Sequence, residues 1–470
     1  MVDWLDPLDA AMMTAEVLSG PLNIAAVLIL SPPAGSGSGY VQDLHLRALA
    51  GRDPVDPRLR RYPHRSVGTG GGWVWREADT VDLSRHCQRI SLAPTAGRDD
   101  LWRLISRLHA EPLDRSRPLW ISYLIDGLDD GCFALYVKVH HTIVDGVAGL
   151  QMITDTLSAD PRCRSTPQLY AERPRQPDLC DSRGELHVPN PVAIARSLAG
   201  AMASGVGLIE RVVTGELTDA VASLVGDTTV APLAAPYTRF NGKLGHARTV
   251  TAGTWPKARI QAVQQKAGVT GNDVVTAVVA GVLRRWLLDR QELPAQSLVA
   301  ICPISVRPRG QVPKELHNNM FGLWLCPLGT HLREPLARLD LIHRSMRAGK
   351  HRVARRGSGA SLMLLASAIG PTVVLPMLPF APRVRTGYNL PISHVPGPAA
   401  EMYWNGAHVE EIYPVSAVYD GQALNITTCS YADRIGFGYV AGHDILPDIG
   451  TLIPLTEESL TELESALGMQ

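Results

Sequence analysis

The period of apolar and polar positions changes several times along this chain. The run "NIAAVLIL" (23–30) is almost uninterruptedly apolar and ends in "SPPAGSGSG". It predicts a buried strand followed by a flexible loop. In "DDLWRLISRLHAEPL" (99–113), Leu101, Ile105, Leu108 and Leu113 recur near helical spacing. "LWISYLIDGL" and "CFALYVKVHH" then read as two strands, and the turn-rich "DGLDDG" between them predicts a hairpin. From Val147 the period lengthens again: Val147, Leu150, Ile153 and Leu157 predict a helix.

Residues 158–190 are rich in Pro, Arg and Asp and carry little apolar periodicity, as a linker or crossover does. Two helices are expected after it, at 191–212 and 215–225. A second organised half starts near 240. "TWPKARIQAVQQKAG" predicts a helix stopped by Gly268, and "NDVVTAVVAGVLRRWLLDR" (272–290) a longer one capped by Asn272 or Asp273. "SLVAICPISV" (297–306) and "FGLWLCPL" (321–328) read as strands. The pattern predicts a mixed α/β (α+β) chain: an N-terminal subdomain (1–160), a crossover (161–239) and a C-terminal subdomain (240–470).

Composition narrows the function classes. The 470 residues carry 45 basic and 45 acidic side chains, so the basic footprint of a nucleic-acid binder is absent. Seven cysteines are scattered without a C-x-x-C pair, which argues against a zinc site or disulfide framework and fits a reducing cytosol. The start, "MVDWLDPLDAAMM", lacks the basic region of a secretory signal. Residues 357–380 carry no charge, but Pro371, Pro376 and Pro379 break any helix in their second half. Two readings stand: a buried helix followed by a proline-rich loop, or an apolar surface resting on lipid with flanking arginines at the headgroups.

The candidate chemistry lies in "YVKVHHTIVDGVAGLQMI" (136–153). Strand parity places Phe133, Leu135, Val137 and Val139 on one face, with Ala134, Tyr136 and Lys138 on the other. Continued, it puts His141 on the apolar side and His140 on the more polar one. A partly dry neutral imidazole accepts a proton at neutral pH, so His141 is the better general base. Asp145 stands at a helix-cap position, and Gly146 is expected to let the backbone turn tightly. A purely structural histidine pair is the competing reading. No G-x-S-x-G, H-E-x-x-H or Walker A sequence offers another chemistry. "GTGGG" (68–72) reads as a loop. "GFGYVA" (436–441) spells a dinucleotide motif but falls in a strand-like region, and His443 and Asp444 after it read as surface residues.

"HHTIVDG" resembles the HHxxxDG signature of the chloramphenicol-acetyltransferase-like acyltransferase superfamily. "DPLDAAMM" (6–13), "EPLDRSRPLW" (111–120), "AGVTGNDVVTAVVAGVLRRWL", "CPISVRP" (302–308), "HNNMFGLWLCPL" (317–328) and "NLPISHVPGP" (389–398) follow in order. Together they resemble the landmarks of the bacterial wax ester synthase/diacylglycerol acyltransferase family over nearly the whole chain. Two departures stand out: His394 replaces the asparagine of a Ser-Asn-Val-Pro-Gly-Pro segment, and Asn318 takes the place of a common glycine.

The resemblance implies two acetyltransferase-like subdomains with an active-site tunnel between them. It implies a long-chain acyl-CoA co-substrate, no resident cofactor or metal, and a lipid alcohol acceptor. Diacylglycerol would become triacylglycerol, and fatty alcohols would become wax esters. His141 would be the general base, His140 would orient its loop, and Asp145 would hold the shape of the site. Arg307 is the candidate partner for Asp145 across the two halves. Pro118, Leu119, Trp120, Asn272, Asp273 and Ser393 would bind substrate or serve structure. Oily substrates imply contact with a membrane or lipid-droplet surface, through 357–380. Rival readings are a carrier-protein donor, a polyketide or sugar alcohol acceptor, and a lipid-binding relative without catalysis.

Overall fold

The computed structural model describes residues 3–172, 235–305, 321–356 and 386–469. The expected helices at 191–212 and 215–225, Arg307, Asn318, Asn319 and the apolar run 357–380 lie outside the described residues.

The N-terminal half contributes α1 (Pro7–Ser19), β1 (Asn23–Ser31), α2 (Tyr40–Ala50), β2 (Arg61–His64), β3 (Val74–Glu77), α3 (Leu83–His86), β4 (Cys87–Ala96), α4 (Arg98–Ala110), β5 (Trp120–Leu128), β6 (Phe133–His140) and α5 (Gly146–Thr154). After the crossover come β7 (Arg248–Pro256), α6 (Lys257–Ala267), α7 (Gly271–Asp289), β8 (Val299–Ser305), β9 (Phe321–Pro327) and α8 (Pro335–Arg356). The chain continues with β10 (Leu390–Pro396), β11 (Tyr403–Trp404), β12 (Ala407–Val415), β13 (Leu424–Tyr431), β14 (Arg434–Gly442) and α9 (Leu452–Ala466).

Two six-stranded sheets result, in the orders β11-β12-β1-β6-β5-β4 and β7-β14-β13-β10-β8-β9. The mixed α/β class and the β5–β6 hairpin are as expected, with Trp120 opposite Val139. The first sheet also takes in residues 403–415: β12 runs antiparallel along β1, with Val27 opposite Tyr413. β1 is thus central and covered on both faces. Leu28 and Leu30 pack with Phe133, Leu135 and the α5 residues Leu150 and Ile153. Val27 and Ile29 pack with Leu101, Ile105 and Leu108 of α4. This double burial accounts for the continuous apolar run "NIAAVLIL".

Two sequence expectations are corrected. The helix placed over "TWPKARIQAVQQKAG" starts at Lys257, because Thr254–Pro256 finish β7 and pair with β14 out to Arg434. Gly268 does end it, with φ +68°. The next helix is capped by neither Asn272 nor Asp273. Thr270 is its N-cap, and Asp273 closes the capping box by accepting the Thr270 N–H at 2.9 Å.

The two sheets meet where β12 crosses β14. A Cβ on Gly438 would collide with the Pro414 carbonyl oxygen, and one on Gly436 with that of Ile412. The G-x-G of "GFGYVA" is therefore a backbone-approach feature of β14, not a phosphate loop. Across the same seam, the Ser106 hydroxyl of α4 accepts the Val250 N–H of β7 at 2.8 Å.

Gly438→Ala is expected to lower stability by about 1–3 kcal/mol through overpacking at this seam. Gly450→Ala, whose added methyl meets no atom, is the control. Urea unfolding of both variants checks the difference.

Candidate active site

The catalytic candidates sit where β6 ends and α5 begins. β6 stops at His140, so His141 lies in a turn and strand parity does not reach it. Parity does place His140 with Tyr136 and Lys138, but that face is not the wetter one. Tyr136, Lys138 and His140 are all at most 2% exposed, whereas His141 is partly exposed. The drier-side argument for His141 is thus corrected: α4 and α1 cover the face that the sequence marks as polar.

His140 is locked in place. Its Nδ1 accepts the Thr142 N–H at 3.2 Å and lies 2.8 Å from the Thr142 hydroxyl. The ring proton therefore belongs on Nε2, which faces Glu16 Oε2 at 3.4 Å, off the line of a good hydrogen bond. Glu16, on α1, is buried and takes a forked contact from Arg115, with Nε at 3.1 Å and an Nη at 2.5 Å. Its other oxygen accepts the Leu22 N–H at 3.3 Å. Burial pushes the Glu16 carboxyl up, but His140 and Arg115 outweigh it and hold it below the ordinary value.

His141 is held through its main chain. Its N–H donates to the Leu22 carbonyl at 3.2 Å, so Glu16 braces both histidines, one by the ring and one through the Leu22 peptide. Burial pushes the His141 ring below the usual 6.5, opposed by a hydrogen bond to its own main chain and by the Asp145 charge. The ring is thus neutral near pH 7.

Asp145 caps α5: its Oδ1 accepts the Ala148 N–H at 2.7 Å. Gly146 is the first residue of that helix. It is not in the left-handed region, and a Cβ added there would meet no protein atom. The expected tight turn at Gly146 is therefore absent; the position borders open space.

The other expected residues divide. Pro118, Leu119 and Trp120 are buried at the start of β5, where the Leu119 carbonyl accepts the His140 N–H at 3.0 Å. Trp120 stacks on His86 and donates to the Leu59 carbonyl at 2.9 Å. Asp273 is buried and accepts from His343 at 2.8 Å, tying α7 to α8. Asn272 is partly buried beside it. Ser393 lies on β10, on the same side as Val395, which packs with Leu150 and Ile153 of α5. His394 alternates to the opposite side, where its ring nitrogens meet the hydroxyls of Thr428 at 2.8 Å and Ser430 at 3.1 Å. Burial pushes its pKa down to about 4, so it is neutral. A cleft of about 240 Å³ between α7 and α9, lined by Arg284, Arg338, Leu455 and Glu462, includes none of these residues.

Sequence reasoning missed Glu16 and Arg115. The available signal was a carboxylate on the inward face of an amphipathic helix: Asp9, Met13 and Glu16 recur at i, i+4 and i+7. Glu16→Gln is expected to lower stability by about 1–3 kcal/mol, since it leaves the Arg115 charge without its counter-ion. It should also reduce kcat/KM more than Arg115→Gln does, because only Glu16 braces both histidines. Urea unfolding and steady-state kinetics of the two variants check this.

Comparison with known proteins identifies the family. The description "Wax ester synthase/diacylglycerol acyltransferase catalytic domain" matches residues 5–275, and "WS/DGAT C-terminal domain" matches residues 317–464. A putative diacylglycerol O-acyltransferase of Mycobacterium bovis is 37% identical over 467 residues, covering 98% of this chain and 90% of the relative. A probable diacylglycerol O-acyltransferase of Mycobacterium tuberculosis is 34% identical over 469 residues, covering 100% of both chains. The wax ester synthase/diacylglycerol acyltransferase from Marinobacter aquaeolei VT8 superposes with a TM-score of 0.78 at 29% identity, over 99% of this chain and 100% of that one. The starter condensation domain of rhizomide synthetase shares the fold, with a TM-score of 0.58 at 13% identity over 99% and 94% of the two chains. The chain belongs to the wax ester synthase/diacylglycerol acyltransferase family.

Proposed function

We propose that this protein esterifies diacylglycerol with an acyl group from long-chain acyl-CoA, and fatty alcohols by the same chemistry. His141 is the general base. The observation that carries this reading is a neutral, partly exposed imidazole at the end of a buried strand, with its main chain pinned to Leu22.

His141 takes the proton of the acceptor hydroxyl as its oxygen attacks the thioester carbonyl. The tetrahedral intermediate collapses, the C–S bond breaks, and the imidazolium returns the proton to the departing CoA sulfur. No acyl-enzyme is required. A positioned base of this kind contributes roughly 10²–10⁴ in rate. His140 holds the turn, Asp145 starts α5, and the open space at Gly146 admits the reacting groups. Oily acceptors bring the protein to a membrane or lipid-droplet surface. Among the described residues no helix is long and apolar enough to cross a membrane.

Turnover of long-chain acyl-CoA with diacylglycerol and with a fatty alcohol, compared between wild type and His141→Ala, tests the reading. A loss of about 10²–10⁴ in kcat is expected; unchanged turnover in the variant overturns it. The wild-type kcat profile should rise with pH through an apparent pKa below 6.5, since burial favours the neutral ring that acts as base.

Gly146→Ala separates space from backbone geometry. Alanine is favoured over glycine in a helix by about 1 kcal/mol, so melting temperature should hold or rise. Turnover should nevertheless fall, with KM for the acceptor raised. Full activity in Gly146→Ala would show that the space is not used by substrate.

A further inference from the structure

The three most exposed large apolar side chains among the described residues lie around one edge of the N-terminal half. Val67 is 99% exposed, Val17 60% and Trp4 56%. Val67 sits at the tip of the β2–β3 hairpin, in the loop Ser66–Gly72. Trp4 bridges to Val74, and its ring lies against Gly72. Trp73 donates its indole N–H to Thr14 on α1 at 3.2 Å. Val17 is three residues along that helix, on the same side.

Charge surrounds this apolar edge. The Arg65 guanidinium lies over the Trp73 ring at 5.2 Å, and Arg61, Arg65 and Arg76 are all exposed. In the hairpin itself, residues 61–77, three arginines stand with one acid, Glu77, which pairs with Arg60; exposed Asp3 and Asp6 flank Trp4 and Leu5. Arg61 reaches Asp3 only at 3.6 Å. Tryptophan at the rim, a protruding valine and the exposed Arg65 and Arg76 match the layers of a phospholipid interface: acyl boundary, then anionic headgroup.

The inner side of the same hairpin touches the catalytic turn. Trp73 and Trp75 pack with Leu5, Met13, Leu119 and Ile143, and Ile143 is two residues from His141. A lipid alcohol that leaves a bilayer at this edge therefore meets the apolar cluster that carries Ile143 of the candidate catalytic turn.

We propose that the β2–β3 hairpin, with Trp4 and Val17, is the surface on which this protein docks onto anionic phospholipid. There it takes up its acceptor beside the catalytic turn. The uptake step rests on the lipid-alcohol reading above; the docking step does not.

The experiment uses the full chain with phosphatidylcholine vesicles, with and without phosphatidylglycerol. Co-flotation of wild type, Val67→Glu, Trp4→Gln, the double variant, Arg65→Gln and Leu336→Glu is measured, with melting temperature as a folding check. Leu336, on α8, is also exposed and serves as the control. Wild type should float with anionic vesicles. Val67→Glu should bind about tenfold more weakly or worse, from the lost burial of one valine. Arg65→Gln should cost about fivefold, an effect that phosphatidylcholine alone abolishes. Leu336→Glu should bind as wild type does. Equal binding by Val67→Glu and Trp4→Gln, or an equal loss in Leu336→Glu, overturns the proposal, as does equal binding to neutral vesicles.

Turnover of vesicle-borne diacylglycerol should fall with binding, while turnover of a water-soluble alcohol should not. If wild type turns over neither alcohol, the acyltransferase reading fails, and flotation still decides the docking surface.

Discussion

The structure depends on a close backbone approach between two sheets. β12 belongs to the first sheet by its pairing with β1, yet its carbonyls at Ile412 and Pro414 press against β14 of the second sheet at Gly436 and Gly438. Side chains there would hold the sheets apart. With the seam closed, α4 lies against β7, and α5 meets β10 through Leu150, Ile153 and Val395. The His140–Asp145 turn, the candidate catalytic turn, is thereby set between elements that are far apart in the chain.

Within that frame a single buried carboxylate organises the turn. Glu16 has three partners: the Arg115 fork, the His140 ring and the Leu22 peptide. Such a carboxylate is stable in a largely dry site only because its hydrogen-bonding capacity is filled and its charge compensated. The arrangement gives the two histidines different tasks. His140, buried with its Nδ1 bonded to Thr142 and its Nε2 facing Glu16, is a structural wedge. His141, partly exposed and with its ring held neutral by burial, is the one that suits the proposed role of base.

Much of this was legible in the chain. The apolar runs marked β1, β6, α4 and α7, and the spacing His-His-x-x-x-Asp-Gly marked the turn and the cap at Asp145. Local chemistry sufficed there, because strand period, helix period and capping are properties of a few neighbouring residues. The errors have one cause. Parity described Lys138 and His140 as a polar face, but α4 and α1 bury that face, and the Lys138 amine is satisfied by the carbonyls of Leu108 and Glu111. The helix placed at 254 lost its first residues to β7 because strand β14, almost 180 residues later, pairs with them.

By itself the sequence determined the main strands and helices of both halves, the His-His-x-x-x-Asp-Gly spacing and, through its ordered motifs, the family. Only the tertiary structure decided which side of β6 is dry, that Glu16 and Arg115 serve the site, that Gly146 borders space rather than a tight turn, and that His394 turns away from α5. These depend on contacts between residues tens to hundreds of positions apart. No local period encodes such contacts, because their energies arise only when the sheets close and water leaves the seam.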